Sequence, residues 1–243
     1  MPPKLDVQSA RHKPDPLWAG RVRDDGAVIE GIDKFVSGPT FMTSWVELAA
    51  ELGLDAGPAN DIGFDLAACH TEPHRRYHTM EHITAVLRHL DNLHAATPTA
   101  KLAAFFHDAV YDPKRTDNEA QSAELAREVL GAVERPEADD VAAIVLATAK
   151  HELPADAPRE TAAFLDADLA ILAAQADVYD LYAQNVRAEY SHISNADFCS
   201  GRAAILKGFL LRDRLYFTTA GQAHFEAPAR ANLRREIAKL TSL

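Results

Sequence analysis

Cysteine is almost missing: Cys69 and Cys199 are the only two in 243 residues. Two isolated thiols build no disulfide framework, and neither sits in a zinc-ligand spacing. That usage points to a reducing compartment, and the cytoplasm is the expectation. Aromatic residues are scarce, at 7%, while alanine is abundant, a balance that favours helices over sheets. No apolar run approaches the roughly 20 residues that a membrane-spanning helix needs. The opening Met1-Pro2-Pro3-Lys4-Leu5-Asp6 lacks the basic-then-apolar order of a secretion signal. Positive charge is in deficit: 25 Lys and Arg against 36 Asp and Glu leave a formal net charge of −11. A nucleic-acid polymer needs a basic surface, so none is expected as a partner, and neither is a membrane. A small phosphorylated molecule is not excluded, because a cation and a few local arginines reverse the field inside a site.

What the chain does have is enough apolar residue, 47% of it, to build one substantial core. Residues 1–38 carry Pro2, Pro3, Pro14 and Pro16 among many charges, with little periodicity, and read as a partly irregular N-terminal extension. From Pro39 onward helical periodicity recurs. Trp45, Leu48, Ala49 and Leu52 share a face, and Gly53 is a stop signal. A second helix is expected from after Asp61 to about His70. Thr79 reads as the N-cap of a third, with Ile83, Val86, Leu87, Leu90 and Leu93 on its apolar face. Thr97-Pro98 reads as N-cap and first residue of a fourth, ending near His107-Asp108. Asp117 or Asn118 starts a fifth, with Ala120, Ala123, Ala126, Leu130 and Val133 inward. Further helices are expected from about Glu137 to Thr148, over 164–173, 177–190 and 196–217, and from about 226 to the end. No period-2 strand appears. The expected fold is all-α, one domain over residues 39–243 built as a bundle of about nine helices. Helices beyond residue 195 either complete that core or form the seam of a homodimer, and periodicity leaves both open.

Ligand-type side chains recur along this helical framework. His78 and His82 stand four residues apart, a spacing that puts both on one helix face. If Thr79 is the cap, His78 lies just outside the helix and His82 in its first turn. His70 and His74 extend the spacing upstream, so a merely histidine-rich surface would look the same. His107-Asp108 ends an apolar run, where a buried polar doublet needs partners. A helix-terminal His beside a solvated Asp is the plainer account. Asp166 and Asp168 lie among Phe164, Leu165, Leu169, Ile171 and Leu172, an uncommon setting for two carboxylates. One of them, Asp166 above all, is equally explained as an N-cap. Two imidazoles and two carboxylates suit a divalent ion held by nitrogen and oxygen: Mn, Fe, Ni, Co, Zn or Mg.

The order His, His-Asp, Asp, each on its own helix, resembles the HD-domain superfamily of metal-dependent phosphohydrolases over roughly residues 70–190. The resemblance implies an all-α core and a divalent metal held by His82, His107, Asp108 and Asp168. The second Asp of Asp166-Ala167-Asp168 takes the ligand role by analogy with related nucleotide triphosphohydrolases. Tyr77-His78 and His82 also resemble the first metal motif of cyclic-nucleotide phosphodiesterases, which implies that His78 is the general acid. Thr79 stands where those enzymes have Asn, and no histidine follows His107-Asp108 closely, which argues for one ion unless Asp112 or His151 contributes. A bacterial group of predicted HD-superfamily phosphohydrolases is the nearest resemblance. It matches Arg76-Tyr77-His78, Phe106-His107-Asp108, Tyr111-Asp112, Asn118-Glu119 and Phe164 to Leu169, then Val186-Arg187, Glu189-Tyr190 and Gly201-Arg202.

The implied chemistry is hydrolysis of a phosphoester or phosphoanhydride in a small phosphorylated metabolite, with nucleotides among the candidates. A metal-activated water attacks phosphorus, Asp108 orients it, and His78 protonates the leaving oxygen. Negative charge on the phosphoryl group calls for basic partners. Arg75, Arg76, Lys114, Arg115 and Arg187 are candidates, with Arg76 and Arg187 preferred, and His151 is expected beside the ligands or the substrate. Two rival readings differ in class. One is a catalytically silent helical module that binds metal or nucleotide. The other is a plain scaffold whose His and Asp residues are structural.

Overall fold

The computed structural model describes residues 39–242. The extension read over residues 1–38 lies outside the described residues. Ten α-helices and no strand occur among those residues. They are α1 Phe41–Glu51, α2 Ala56–Cys69, α3 Met80–Asn92, α4 Pro98–Phe106, α5 Asn118–Ala132, α6 Ala138–Thr148, α7 Arg159–Asp168, α8 Ala176–Glu189, α9 Asn195–Leu211 and α10 Thr219–Thr241. A 3₁₀ turn, Leu169–Ala173, prolongs α7.

The helix ends follow local chemistry. Thr40 and Thr97 cap α1 and α4 through their hydroxyls, which accept from Thr43 N and Ala100 N. Pro98 takes the first helical position, where its missing N–H costs nothing. Gly53, at φ +68°, supplies the left-handed residue that stops α1. Four helices depart from expectation at their boundaries. Helix α2 starts at Ala56 rather than after Asp61, because its first turns bury little except Ala59 and show no apolar stripe. Helix α7 starts at Arg159 and ends at Asp168, so the segment read as one helix over 164–173 is two elements. Helix α9 stops at Leu211, where Arg212 turns extended, and not at 217. Helix α10 begins at Thr219, not near 226, with Pro228 inside it on an exposed face. Ala120, expected inward on α5, is exposed, while Ser122 of the same helix is buried.

Two apolar clusters form. The larger joins α1 through α6 to Phe164 and Ala167 of α7. Trp45 is fully buried there, and its indole N–H donates to Ala59 O at 2.7 Å. The ring leaves no room opposite: a Cβ on Gly63 would lie 2.4 Å from Trp45 Cδ1. The smaller cluster joins Leu169 and Leu172 to Tyr179, Leu206, Leu215, Tyr216, Ala229 and Leu233. Helices α9 and α10 thus bury apolar residues within the chain itself. Asn232 of α10 ties down the 3₁₀ turn, donating to Leu172 O at 2.9 Å and Ala174 O at 2.8 Å. Beneath α8, Arg202 pairs with Glu236 at 2.9 Å, and the Tyr179 hydroxyl donates to the same carboxylate. No described helix is long and apolar enough to cross a membrane.

Candidate metal centre

Three helices deliver the ligand-type residues to one point. The apolar face of α3 turns inward, and His82 in its first turn comes with it, 5% exposed. His107 is the C-cap of α4, buried because the helix before it is buried, and Asp108 follows in the turn. Asp168 is the last residue of α7.

His82 Nε2 lies 3.1 Å from His107 Nε2 and 3.1 Å from Asp168 Oδ1. His107 Nε2 lies 3.1 Å from Asp108 Oδ2 and 3.5 Å from Asp168 Oδ1. His82 Nε2 and Asp108 Oδ2 are 3.5 Å apart. Donors bound to one ion at about 2.0–2.2 Å stand about 3.0 Å apart at right angles and about 3.4 Å apart at the tetrahedral angle. The observed spacings run from 3.1 to 3.5 Å, the longest matching the tetrahedral angle at the longer bond length, and the three donors of His82, His107 and Asp168 lie within 4.8 Å of one another. The tautomer of His107 agrees. Its Nδ1 lies 3.0 Å from Ala104 O, a carbonyl that only accepts, so Nδ1 carries a proton and Nε2 is the nitrogen turned to the cluster. These residues fit a divalent cation.

Burial disfavours a charged His107, but Asp108 and Asp168 outweigh it and hold the imidazolium well above the usual histidine range. Burial would raise Asp168, yet His107 and its other histidine partners keep the carboxylate well below the ordinary value. Asp108 is likewise held low, against burial, by His107 and His78. Two carboxylates without a cation draw a proton onto His107.

Asp168 has a further partner. His151 Nε2 lies 2.8 Å from its Oδ2. His151 reaches it from an unusual backbone conformation, φ +46°, and Arg212 holds that backbone by donating to His151 O at 2.6 Å and Lys150 O at 2.8 Å. Asp166 points elsewhere. It accepts from Phe217 N, Thr218 N and Thr218 Oγ1 at 2.6, 2.8 and 2.7 Å, and so fixes the entry to α10.

Next to the cluster, His78 sits in the loop before Thr79, the residue that precedes α3. Its Nδ1 lies 2.7 Å from Glu189 Oε2, on the last residue of α8. Glu189, 3% exposed, also accepts from the backbone N–H of Arg76, Tyr77 and His78 at 2.7, 2.8 and 3.1 Å and from the Tyr111 hydroxyl at 2.9 Å. Burial opposes charge on it, but His78 and these donors bring its pKa down to about 2. Burial likewise opposes a charged His78, and Asp108 with Glu189 outweighs it, raising the imidazole above its ordinary value. The organising role of Glu189 escaped the sequence reading. The available signal was an acidic residue on the buried face of α8, in register with Tyr179, Tyr182 and Val186.

The basic candidates divide. Arg75 is 3% exposed and donates to the carbonyls of His78, Asp108 and Ala109, so it bolts the His78 loop to the Asp108 turn and has no reach to spare. Arg187, preferred for substrate, caps its own helix instead. It donates to Tyr190 O and Ile193 O and lies over the Phe198 ring, and it does not line the cavity beside the cluster. Arg115 pairs with Asp117 at the surface. Asn118 clamps Asp112 through both amide atoms, and Asp112 Oδ1 accepts from Lys114 N within that loop. Arg76 does line the cavity, although its guanidinium donates to Pro73 O and Arg75 O.

That cavity, about 730 Å³, opens beside His82, Asp168 and Tyr77 and continues between α3 and α8. No family model matches the chain, and neither a curated protein nor a solved structure does.

Proposed function

We propose that this protein is a divalent-metal-dependent hydrolase of phosphoester or phosphoanhydride bonds in a small phosphorylated metabolite, built on an HD-domain-like bundle. The observation that carries the reading is the convergence of His82, His107 and Asp168 at spacings suited to one ion, with Asp108 beside both histidines and a Glu-held imidazole next to them. A divalent ion bound there supplies an acidified water and polarisation of a phosphoryl oxygen. The chain supplies the rest. Asp168, steadied through its second oxygen by His151, and Asp108 fix the geometry of the donor set. Glu189 holds the His78 ring through Nδ1, so Nε2 is the atom left to give a proton to a departing oxygen. The raised pKa of His78 keeps that proton in place near neutrality.

The silent-module reading draws on a specific observation: the guanidinium groups of Arg75 and Arg187 are committed to backbone carbonyls. It expects metal binding without turnover. The deciding experiment is metal content by mass spectrometry, wild type beside Asp108→Ala, followed by a phosphatase and phosphodiesterase screen with the ion found. Near-stoichiometric metal lost in the variant, together with metal-stimulated hydrolysis, supports the enzyme. Absence of metal after incubation with excess divalent ions sinks it.

A further inference from the structure

We propose that the alcohol part of the substrate is apolar and ring-sized, so that the site takes aryl-type phosphoesters in preference to sugar or glycerol phosphates. The phosphoryl end of this inference rests on the hydrolase reading; the apolar end rests on the cavity. A volume of about 730 Å³ suits a drug-sized molecule rather than a phosphate alone.

Helices α3 and α8 form the long walls. Helix α3 runs from His82, at the cluster, to His89, about 10 Å further along its axis, and both residues line the cavity. Helix α8 runs the opposite way. Its last residue, Glu189, touches His78, while Val178 and Leu181 near its start line the far end. Around them stand Ile171, Ala174 and Phe225. Val178 is 48% exposed and Leu181 57%, although Tyr179 between them is fully buried. Large aliphatic side chains left uncovered in a cavity that ends at a polar cluster gain by being covered.

Polar side chains line the cavity as well, Thr79 and Glu81 among them near His82 in the chain. Arg88 and Asn185 line the cavity and bond no described side chain, and His89 stands edge-on to Phe225 with ring centroids 5.6 Å apart. Burial and Arg88 pull His89 down to about 4, so its ring is neutral. A polyol against Ile171, Val178 and Leu181 would shed water from several hydroxyls and recover few partners. An aryl group sheds none that it needs, and Arg88 and Asn185 suit a ring with a polar edge.

The test uses the full-length protein loaded with Mn²⁺. Benzylphosphonate and 2-hydroxyethylphosphonate are titrated by calorimetry, since a C–P bond resists hydrolysis and separates binding from turnover. Turnover of benzyl phosphate and glycerol 3-phosphate is measured alongside. Benzylphosphonate is expected to bind about tenfold more tightly or better, with the ratio falling toward one in Leu181→Asp. Equal affinities in wild type overturn the proposal, as does a ratio that survives both Leu181→Asp and Val178→Asp. Sedimentation adds another check: a Leu181→Asp variant that changes oligomeric state but not the ratio assigns this face to a second copy and overturns it. Selective binding without hydrolysis of any ester upholds the apolar site and removes the hydrolase reading. Hydrolysis of both esters with equal kcat/KM does the reverse, and no binding of either phosphonate removes both.

Discussion

Protonation governs how the four-donor cluster behaves at the scale of single residues. Without a cation, Asp108 and Asp168 hold a proton on His107, whose folded pKa is raised. Metal must displace that proton, so affinity rises with pH and falls as pH drops. Each proton released steepens Mn²⁺ affinity by about tenfold per pH unit, which calorimetry between about pH 6 and 8 measures; a flat profile would contradict the assignment. Roles separate by substitution. His107→Ala is expected to lose metal and turnover together, whereas His78→Ala keeps metal and loses about 10²–10⁴-fold in rate. Equal metal loss in both would make His78 a ligand. Glu189→Gln tests the ring's anchor: metal content stays near wild type, while kcat drops and its dependence on the acidic group shifts to lower pH. The sign for stability follows from Glu189's depressed pKa of about 2. Its contribution is present above the ordinary glutamate range and is lost as pH falls through that value.

Elements enforce these positions through close backbone approaches. A Cβ on Gly221, in the first turn of α10, would lie 2.2 Å from Asp166 Oδ2, and that carboxylate cannot retreat without giving up three hydrogen bonds. Gly221→Ala is therefore expected to cost about 1–3 kcal/mol in denaturant unfolding, with metal affinity changed less than stability. The end of α6 works differently. Arg212 holds His151 in a left-handed conformation, uncommon for any residue with a side chain, and from there the ring reaches Asp168. Arg212→Met and His151→Ala should each weaken Mn²⁺ binding, and the double variant should be no weaker than His151→Ala alone. Additive losses would show that Arg212 acts by another route.

For the whole molecule, the chain position of Asp168 matters most. Ala167 belongs to the larger apolar cluster and Leu169 to the smaller, and Phe225 packs against both. His82 and His107 come from helices of the first cluster, and Glu189 from α8, which gives Tyr179 to the second. A cation bound at this junction should stabilise both clusters by mass action. Mn²⁺ at about a hundredfold excess over Kd is expected to raise Tm by about 5–10 °C in wild type and not at all in Asp168→Ala, with one transition by far-UV and near-UV circular dichroism. A second, metal-independent transition would mean the clusters unfold separately.

The all-helical class, the caps at Thr97 and Pro98 and the stop at Gly53 were legible in the sequence because they depend on neighbours within a turn. So was the need of His107-Asp108 for partners, since a polar doublet after a buried helix demands them. Starts of α2 and α10 were not legible, because those turns present no apolar stripe. The inward reading of Ala120 failed for a similar reason: alanine fits either face and periodicity alone does not place it. The residues by themselves left Asp166 and Asp168 open and a resemblance favoured Asp168; the tertiary structure spends Asp166 on the entry to α10 and turns Asp168 to the histidines. It alone turned Arg187 away from the cavity and brought Glu189 to His78 across 111 residues of chain. Local sequence determines what a segment can form, but a carboxylate's role is decided by which charges and donors the fold sets opposite it.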